Sequence, residues 1–124
     1  MERTARVLVA MLLSGPLGGP TLAALPLIAG TNAGERIAGT IRAEEIRGLA
    51  GSDEITDAFG KDLVYGGTRG DSLIGYGGDT SVDRFYGRRG NDIVQSRDVP
   101  TVKDVVDSGG GNGTVYADKA DLIS

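Results

Sequence analysis

Two residue types that dominate catalytic and metal chemistry are missing from this chain of 124 residues, which contains no cysteine and no histidine. Without cysteine there are no disulfides and no thiolate metal sites. Without histidine the commonest general base is missing, together with the usual zinc sites and the nucleophile–histidine pairs. We therefore expect no enzymatic activity, and any bound metal must be held by oxygen atoms.

Large side chains are also scarce, because aromatic residues make up only 5% of the chain while glycine reaches 21 residues. This balance argues against an ordinary hydrophobic core, so the fold must depend on backbone pairing. Proline is absent between residues 27 and 99, as a continuous ladder of backbone donors requires. No window after Gly30 has an apolar stripe at helical spacing, and the length allows one small domain.

The formal net charge of −4 disfavours nucleic acid and anionic membranes as partners. Residues 1–24 differ from the rest, with an arginine-bearing start, an apolar run and a small-residue exit. This order predicts a secretory signal peptide cleaved near Ala23 or Ala24, and a disordered tail is the alternative. The apolar run is too short for a membrane span. The sequence therefore predicts an extracellular domain over residues 25–124.

Acidic residues recur with a fixed stride of nine that resumes after two insertions of three residues. Two positions beyond each acid stands an apolar residue. The acids are Glu35, Glu44, Asp53, Asp62, Asp71, Asp83, Asp92 and Asp104, and the apolar residues are Ile37, Ile46, Ile55, Val64, Leu73, Phe85, Val94 and Val106. The lengthened units lie near residues 75–86 and 96–107.

Each unit joins a glycine-rich half to a short β-favouring half, and such a unit cannot close on itself. The pattern predicts an all-β fold, a right-handed parallel β-roll (a β-solenoid) in which two units form one coil and coils stack about 4.8 Å apart. Successive turns then fall on opposite edges. One edge would collect Glu35, Asp53, Asp71 and Asp92, and the other Glu44, Asp62, Asp83 and Asp104.

Glycine is usual at the first position of the unit and frequent at the fourth. Glycine at two fixed positions predicts a turn whose backbone dihedral angles are strained for other residues.

Carboxylates stacked along one edge would repel each other by roughly 1–3 kcal/mol per pair at about 5 Å, unless a cation lies between them. Calcium suits this position because it takes 6–8 oxygen ligands, including backbone carbonyls, whereas magnesium demands strict octahedral geometry. Each unit buries only about one large apolar side chain, worth roughly 1.5–3 kcal/mol, which is less than its ordering entropy. We therefore expect calcium to fold a chain that is largely disordered without it.

The units GLAGSDEIT, DAFGKDLVY and GRRGNDIVQ resemble the nonapeptide G-G-x-G-x-D-x-U-x (U, large and apolar) of the hemolysin-type, or repeats-in-toxin (RTX), calcium-binding family. The resemblance extends from about Gly30 to the C-terminus. It implies that aspartate carboxylates and neighbouring turn carbonyls bind Ca²⁺ between coils. Carried over position by position, it predicts the metal ligands Asp53, Asp62, Asp71, Asp83, Asp92 and Asp104.

Some units depart from this pattern. Glu35 and Glu44 replace aspartate without a glycine at the fourth position, so the first two units are expected to cap the roll. Gly113 stands where an aspartate is expected, and the two insertions are expected to break the ion column near Asp83 and Asp104. About two to four sites are expected, the strongest around Asp53, Asp62 and Asp71.

The sequence thus predicts a secreted repeat domain that binds calcium ions. One alternative is a calcium-stiffened adhesive or structural surface module, with self-association or an unknown surface ligand. Arg84, Arg88 and Arg89 cluster near the first insertion, where they can contact an anion or balance nearby acids. A carbohydrate-active remnant is the other alternative, although every well-placed acid belongs to the repeat frame.

Overall fold

The computed structural model of the protein describes residues 7–8, 25–76, 80–96, 103–117 and 121–124. Within these ranges the secondary structure is entirely β. No helix in them is long and apolar enough to cross a membrane. In chain order the strands are β1 (Val7–Leu8), β2 (Leu27–Ala29), β3 (Arg36–Ala38), β4 (Glu45–Arg47), β5 (Glu54–Thr56), β6 (Leu63–Gly67), β7 (Ser72–Ile74), β8 (Arg84–Arg88), β9 (Ile93–Gln95), β10 (Val105–Asp107), β11 (Thr114–Tyr116) and β12 (Leu122–Ile123).

The strands alternate between two sheets as the chain advances. The first sheet has the order β1-β3-β5-β7-β9-β11, and the second has the order β12-β10-β8-β6-β4-β2. Every pair of neighbouring strands is parallel. Two units therefore form one coil of a parallel β-solenoid of about five turns, which confirms the predicted fold class.

The core is a double row of apolar side chains between the two sheets. Each is the second residue of a short strand, in which side chains alternate between the two faces. All eight predicted apolar residues are buried, and Ile28 joins them at the start of the second sheet. The core consists of Ile28, Ile37, Ile46, Ile55, Val64, Leu73, Phe85, Val94 and Val106.

The insertions leave the register of the strands intact. Val64 pairs with Phe85 across the first lengthened unit, and Phe85 pairs with Val106 across the second. The extra residues fall in the turns before β8 and β10, and these turns are only partly within the described ranges. The longer units therefore do not shift the pairing of the strands that follow them.

Glycine has two different roles in the turns. The fourth-position residues Gly51 and Gly90 have φ of 92° and 120°, which confirms the predicted left-handed backbone there. First-position glycines have no positive φ, so that half of the prediction is wrong. A Cβ on Gly66 would lie 2.8 Å from the Gly87 carbonyl oxygen of the next coil and 2.8 Å from Asp71 Oδ2. The first position therefore needs glycine for close packing.

The described part of residues 1–24 is a single short strand. Val7 pairs with Arg36 and Leu8 with Ile37, so β1 lies beside β3 at the end of the first sheet. The predicted cleavage position near Ala23 or Ala24 lies outside the described residues. The signal peptide and the boundary at residue 25 stay predictions.

Candidate metal centre

The acids form two columns, one along each edge of the solenoid. The first acidic column precedes the strands of the first sheet and contains Glu35, Asp53, Asp71 and Asp92. The second acidic column precedes the strands of the second sheet and contains Glu44, Asp62, Asp83, Asp104 and Asp121. The eight predicted acids are at most 4% exposed, so they point into the solenoid and are not a solvated edge.

Hydrogen bonds connect each column from coil to coil. The backbone N–H of Asp53 donates to Oδ1 of Asp71 at 2.8 Å, and the N–H of Asp71 donates to Oδ1 of Asp92 at 2.8 Å. The second column repeats this pattern, with Asp62 donating to Oδ1 of Asp83 at 2.7 Å. The expected repulsion between stacked carboxylates is therefore opposed by charge-assisted hydrogen bonds to backbone amides.

The same bonds cross the two insertions. Asp62 N–H donates to Oδ1 of Asp83 across the first insertion, and Asp83 N–H donates to Oδ1 of Asp104 at 2.8 Å across the second. Beyond the insertions, Asp104 N–H donates to Oδ1 of Asp121 at 3.0 Å. The carboxylate ladder is therefore continuous past both insertions, while the expected break in the ion column near Asp83 and Asp104 stays a prediction.

The first two units do not end the roll, because β1 and β2 pair outside β3 and β4, but in these units the longer side chain of glutamate closes its own turn. Oε1 of Glu35 accepts the N–H of Thr31 in its own turn at 2.6 Å, and Oε1 of Glu44 accepts that of Thr40 at 2.6 Å. One coil before Glu44, the equivalent position is Pro26, whose carbonyl accepts the N–H of Glu45 at 2.8 Å. Proline has no N–H to donate, so glutamate satisfies the turn locally instead.

In the first acidic column the second carboxylate oxygen is left buried. Oδ2 of Asp53, Asp71 and Asp92 has no hydrogen-bond partner. Burial raises the pKa of Asp53 to about 6 and that of Asp71 to about 7, while the amide hydrogen bonds act in the opposite direction. The pKa of Asp92 is also raised by burial. These oxygens face the first-position glycines, with no third carboxylate beside them among the described residues.

The second acidic column contains a different arrangement around Asp57. Asp57, Asp62 and Asp83 each place one carboxylate oxygen within 4.8 Å of the other two. Asp57 and Asp62 belong to the same turn, and Asp83 belongs to the next coil. All three are buried, so their charges are held close together with little screening by water.

The negative charge of the Asp57 carboxylate is poorly compensated by its surroundings. Its Oδ1 accepts the N–H of Tyr76 at 2.9 Å, and its Oδ2 is buried with no hydrogen-bond partner. Burial raises the pKa of Asp57 to about 9, and the neighbouring charge of Asp83 and an interaction with its carboxyl group add to the rise. A proton or a cation at the cluster would therefore offset the repulsion between these carboxylates at neutral pH.

The cluster fits a hard cation with oxygen ligands. Three carboxylates from two coils converge on a small buried volume, and Ca²⁺ takes carboxylate and carbonyl oxygens at about 2.3–2.6 Å. The buried acids are thus placed where they can bind a metal between turns of the solenoid. Asp57, Asp62 and Asp83 would hold it.

The structure brings together two of the six predicted ligands, Asp62 and Asp83. The other four are buried in the columns and lie outside this cluster: Asp53, Asp71, Asp92 and Asp104. Asp57 and Asp121 were not predicted. Asp57 occupies a first position where glycine is usual. This replacement of a repeat glycine by an acid is the signal that could have identified Asp57 from the sequence. Asp121 stands two residues before Ile123, as the repeat frame requires.

Ser96 shows another way in which a first-position side chain is accommodated beside a buried carboxylate. It occupies the first position of a later unit on the same edge as Asp57, and it is fully buried. Its hydroxyl donates to Oδ2 of Asp121 at 2.7 Å. A neutral donor therefore satisfies a carboxylate at this position, whereas Asp57 adds a further negative charge.

Comparison with known protein families, curated proteins and solved structures finds no match for this chain. The fold and the site alone define the class of protein: a parallel β-solenoid with a buried aspartate cluster, compatible with an RTX-like β-roll.

Proposed function

We propose that this protein is a secreted calcium-binding repeat domain in which Ca²⁺ links successive coils. The observation that carries the proposal is the cluster of Asp57, Asp62 and Asp83, whose ligand atoms lie within 4.8 Å of one another across two coils. A bound cation would replace the proton on Asp57 and offset the repulsion between Asp57 and Asp83.

The chemistry of the chain favours calcium over other metals. With no cysteine or histidine, it lacks the soft and nitrogen ligands that zinc and copper prefer. Carboxylates held by backbone hydrogen bonds are matched better by the flexible coordination of Ca²⁺ than by the strict octahedron of Mg²⁺.

Calcium binding would contribute directly to folding. Dissociation constants of about 10⁻⁴–10⁻³ M are typical of extracellular calcium modules. At about 10 mM calcium, such a site would stabilise the folded state by roughly 1.4–2.7 kcal/mol, provided that the unfolded chain does not bind. One site has a measurable effect on a domain with so small a core, and further ions along the columns would add to it.

The proposal includes secretion and assigns no catalysis. Secretion is supported by the order of charge, apolar run and small residues in residues 1–24. N-terminal sequencing of the exported protein would test it, with an intact Met1 as the contradicting result. Hydrolysis of a glycan panel would contradict the non-catalytic assignment.

The decisive experiment compares Asp57→Gly with the wild-type chain in calcium titration calorimetry. Glycine restores the usual first-position residue of the repeat, so the variant removes the third carboxylate and keeps the turn compatible with the fold. We expect the variant to bind one calcium ion fewer than the wild type. Glu54→Gln removes an exposed carboxylate three residues away and should leave the stoichiometry unchanged.

Far-ultraviolet circular dichroism of the same samples separates ion binding from folding. We expect the β signal of the wild-type chain to grow between chelator and about 10 mM calcium, a concentration well above typical extracellular dissociation constants. Equal calcium stoichiometry in Asp57→Gly and wild type would contradict the assigned site. An identical β signal with chelator and with calcium would contradict the link to folding.

A further inference from the structure

The outer face of the second sheet carries an aromatic pair between charged residues. Strand register aligns Arg47, Tyr65, Tyr86 and Asp107 in one row across β4, β6, β8 and β10. The rings of Tyr65 and Tyr86 stack with their centroids 5.2 Å apart and their planes 19° apart. This row lies on the opposite face of the sheet from the buried core.

Two guanidinium groups lie against these rings. The Arg88 guanidinium carbon is 4.7 Å from the Tyr65 ring centroid and 5.7 Å from that of Tyr86, and the Arg47 carbon is 5.6 Å from the Tyr65 centroid. Arg47 also forms an ion pair with Glu45. Across the described ranges, no salt bridge to an acid involves Arg88. Arg88 is thus the more available cation.

The backbone holds two side chains at this place in an unfavourable conformation. Arg88 has φ of 75° and Leu49 has φ of 73°, whereas the equivalent positions in neighbouring coils are Gly67 with φ of 107° and Gly109 with φ of 76°. Glycine adopts this conformation without strain, and arginine and leucine do not. Ala58 and Arg69 hold the same conformation in other turns, with φ of 67° and 71°, so the cleft is distinguished by its stacked cations and not by the strain.

The strained residues and the stacked cations line the same cleft. It has a volume of about 260 Å³ and is lined by Arg47, Leu49, Tyr65, Gly67 and Arg88. We propose that this cleft binds an oxyanion group, a carboxylate, sulfate or phosphate, through Arg88 with support from Arg47. A guanidinium stacked on a ring keeps its N–H groups directed outward in its plane, where they form paired hydrogen bonds to two oxygens.

Charge, and not the flat face of a sugar or base, is the feature this cleft recognises. The tyrosine faces are occupied by each other and by the two guanidinium groups. The attraction for an anion is confined to the cleft, because the chain as a whole carries a net charge of −4 and repels anions at a distance. The anionic group can belong to a free ion or to a polymer, and both sources share the same chemistry.

Sodium sulfate and dextran sulfate distinguish the two sources when titrated into the full chain in calcium-containing buffer. Sodium chloride at equal ionic strength is the reference. The chain has no tryptophan, and two of its four tyrosines, Tyr65 and Tyr86, form the stacked pair at the cleft, so a change there alters the tyrosine emission. We expect sulfate, and not chloride, to change the emission and to release heat in calorimetry. Tighter binding of the polymer, counted per sulfate group, would identify a polyanionic partner; equal binding would identify a free anion.

Matched variants test the assignment of the cleft. Removing a charged hydrogen-bonding group typically weakens binding by about tenfold, and we expect this for Arg88→Gln. Arg36→Gln removes the same charge from an exposed arginine on the first sheet and should change the affinity less than about twofold. Glu45→Gln frees Arg47 from its ion pair and should tighten sulfate binding.

Arg88→Gly separates binding from a structural role. Glycine relieves the backbone strain, so the thermal midpoint should stay constant or rise while sulfate binding is lost. A lower midpoint with binding retained would overturn the proposal, as would equal effects of Arg88→Gln and Arg36→Gln. An identical response to sulfate and chloride in the wild-type chain would also overturn it.

Discussion

Each edge of the solenoid carries its own carboxylate ladder, and the two edges differ in the lengths of the turns that precede the acids. On the edge of the first acidic column every turn has the same length from first position to acid, as in residues 48–53 and 66–71. On the edge of the second, the turns vary, and two of them carry the three-residue insertions. The cluster of Asp57, Asp62 and Asp83 lies on this irregular edge, where Asp57 takes the place of a first-position glycine.

The difference shows that the ladder and the ion site are separate properties of the repeat. The regular edge buries Asp53, Asp71 and Asp92 with one oxygen bound to an amide and the other against glycine. This arrangement holds coils in register without a third carboxylate. The site needs an additional acid from outside the repeat frame, and only a position that tolerates a side chain can supply it.

The largest expected effect comes from placing a side chain at a first position of the regular edge. In Gly66→Ala the new Cβ would meet the Gly87 carbonyl and the Asp71 carboxylate at 2.8 Å, and overpacking of this kind costs roughly 2–3 kcal/mol. Gly110→Ala is the control, because no atom lies within 4 Å of its new Cβ. Urea unfolding in calcium should show the loss for Gly66→Ala alone; equal stability of the two variants would refute the packing argument.

The second expected effect is a pH dependence of the metal-free chain that differs between the edges. Folding raises the pKa of Asp53 to about 6, of Asp71 to about 7 and of Asp57 to about 9. A raised pKa means that the folded state prefers the protonated carboxyl group. The resulting stabilisation is complete below the unfolded pKa of about 4 and is lost as the pH rises through the folded pKa.

The folded fraction of the metal-free chain, followed by far-ultraviolet circular dichroism in chelator, should therefore fall from pH 4 to pH 9. Asp53 contributes to the loss up to about pH 6, Asp71 up to about pH 7, and Asp57 over the whole range up to about pH 9. Asp57→Gly should make the fall shallower throughout and end it near pH 7. A folded fraction that rises between pH 4 and pH 7 would contradict the burial of these carboxylates.

The sequence predicts the architecture well because the repeat frame determines it. The stride of the acids and the apolar residues identified the two columns, the strand register and eight of the nine core residues. The ligand set was harder to predict. Asp57 stands outside the frame, and its proximity to Asp83 depends on how two coils stack, which no spacing along one unit contains.

The roles of the glycines also separate what the sequence predicts from what depends on the stacking of coils. Fourth-position glycines were predicted from dihedral preference, a local property, and Gly51 and Gly90 confirm it. First-position glycines are required by atoms of the following coil, so Gly66 was given the wrong reason. The continuity of the ladder across the insertions could not be predicted, because a sequence does not show whether additional residues change the register of the strands.

The smallest expected effect comes from extending the regular ladder at its last coil. Gly113 lacks the carboxylate that would accept the N–H of Asp92, and a Cβ there would lie 3.1 Å from Cβ of Ser108. Gly113→Asp alone should therefore be nearly neutral. Combined with Ser108→Gly, it should stabilise the fold by about 1 kcal/mol through a new hydrogen bond to an amide. Urea unfolding would reveal the difference, and a gain from Gly113→Asp alone would contradict the requirement for glycine.

The ladder bonds all point the same way along the stack, from the amide of one acid to the carboxylate of the next. During synthesis, a newly made coil offers amides whose acceptors have not yet been translated. Each coil therefore completes its ladder bonds only when the next coil has been made. Pro26 has no amide hydrogen, so the second acidic column begins at Glu44 without leaving an unpaired donor at that position.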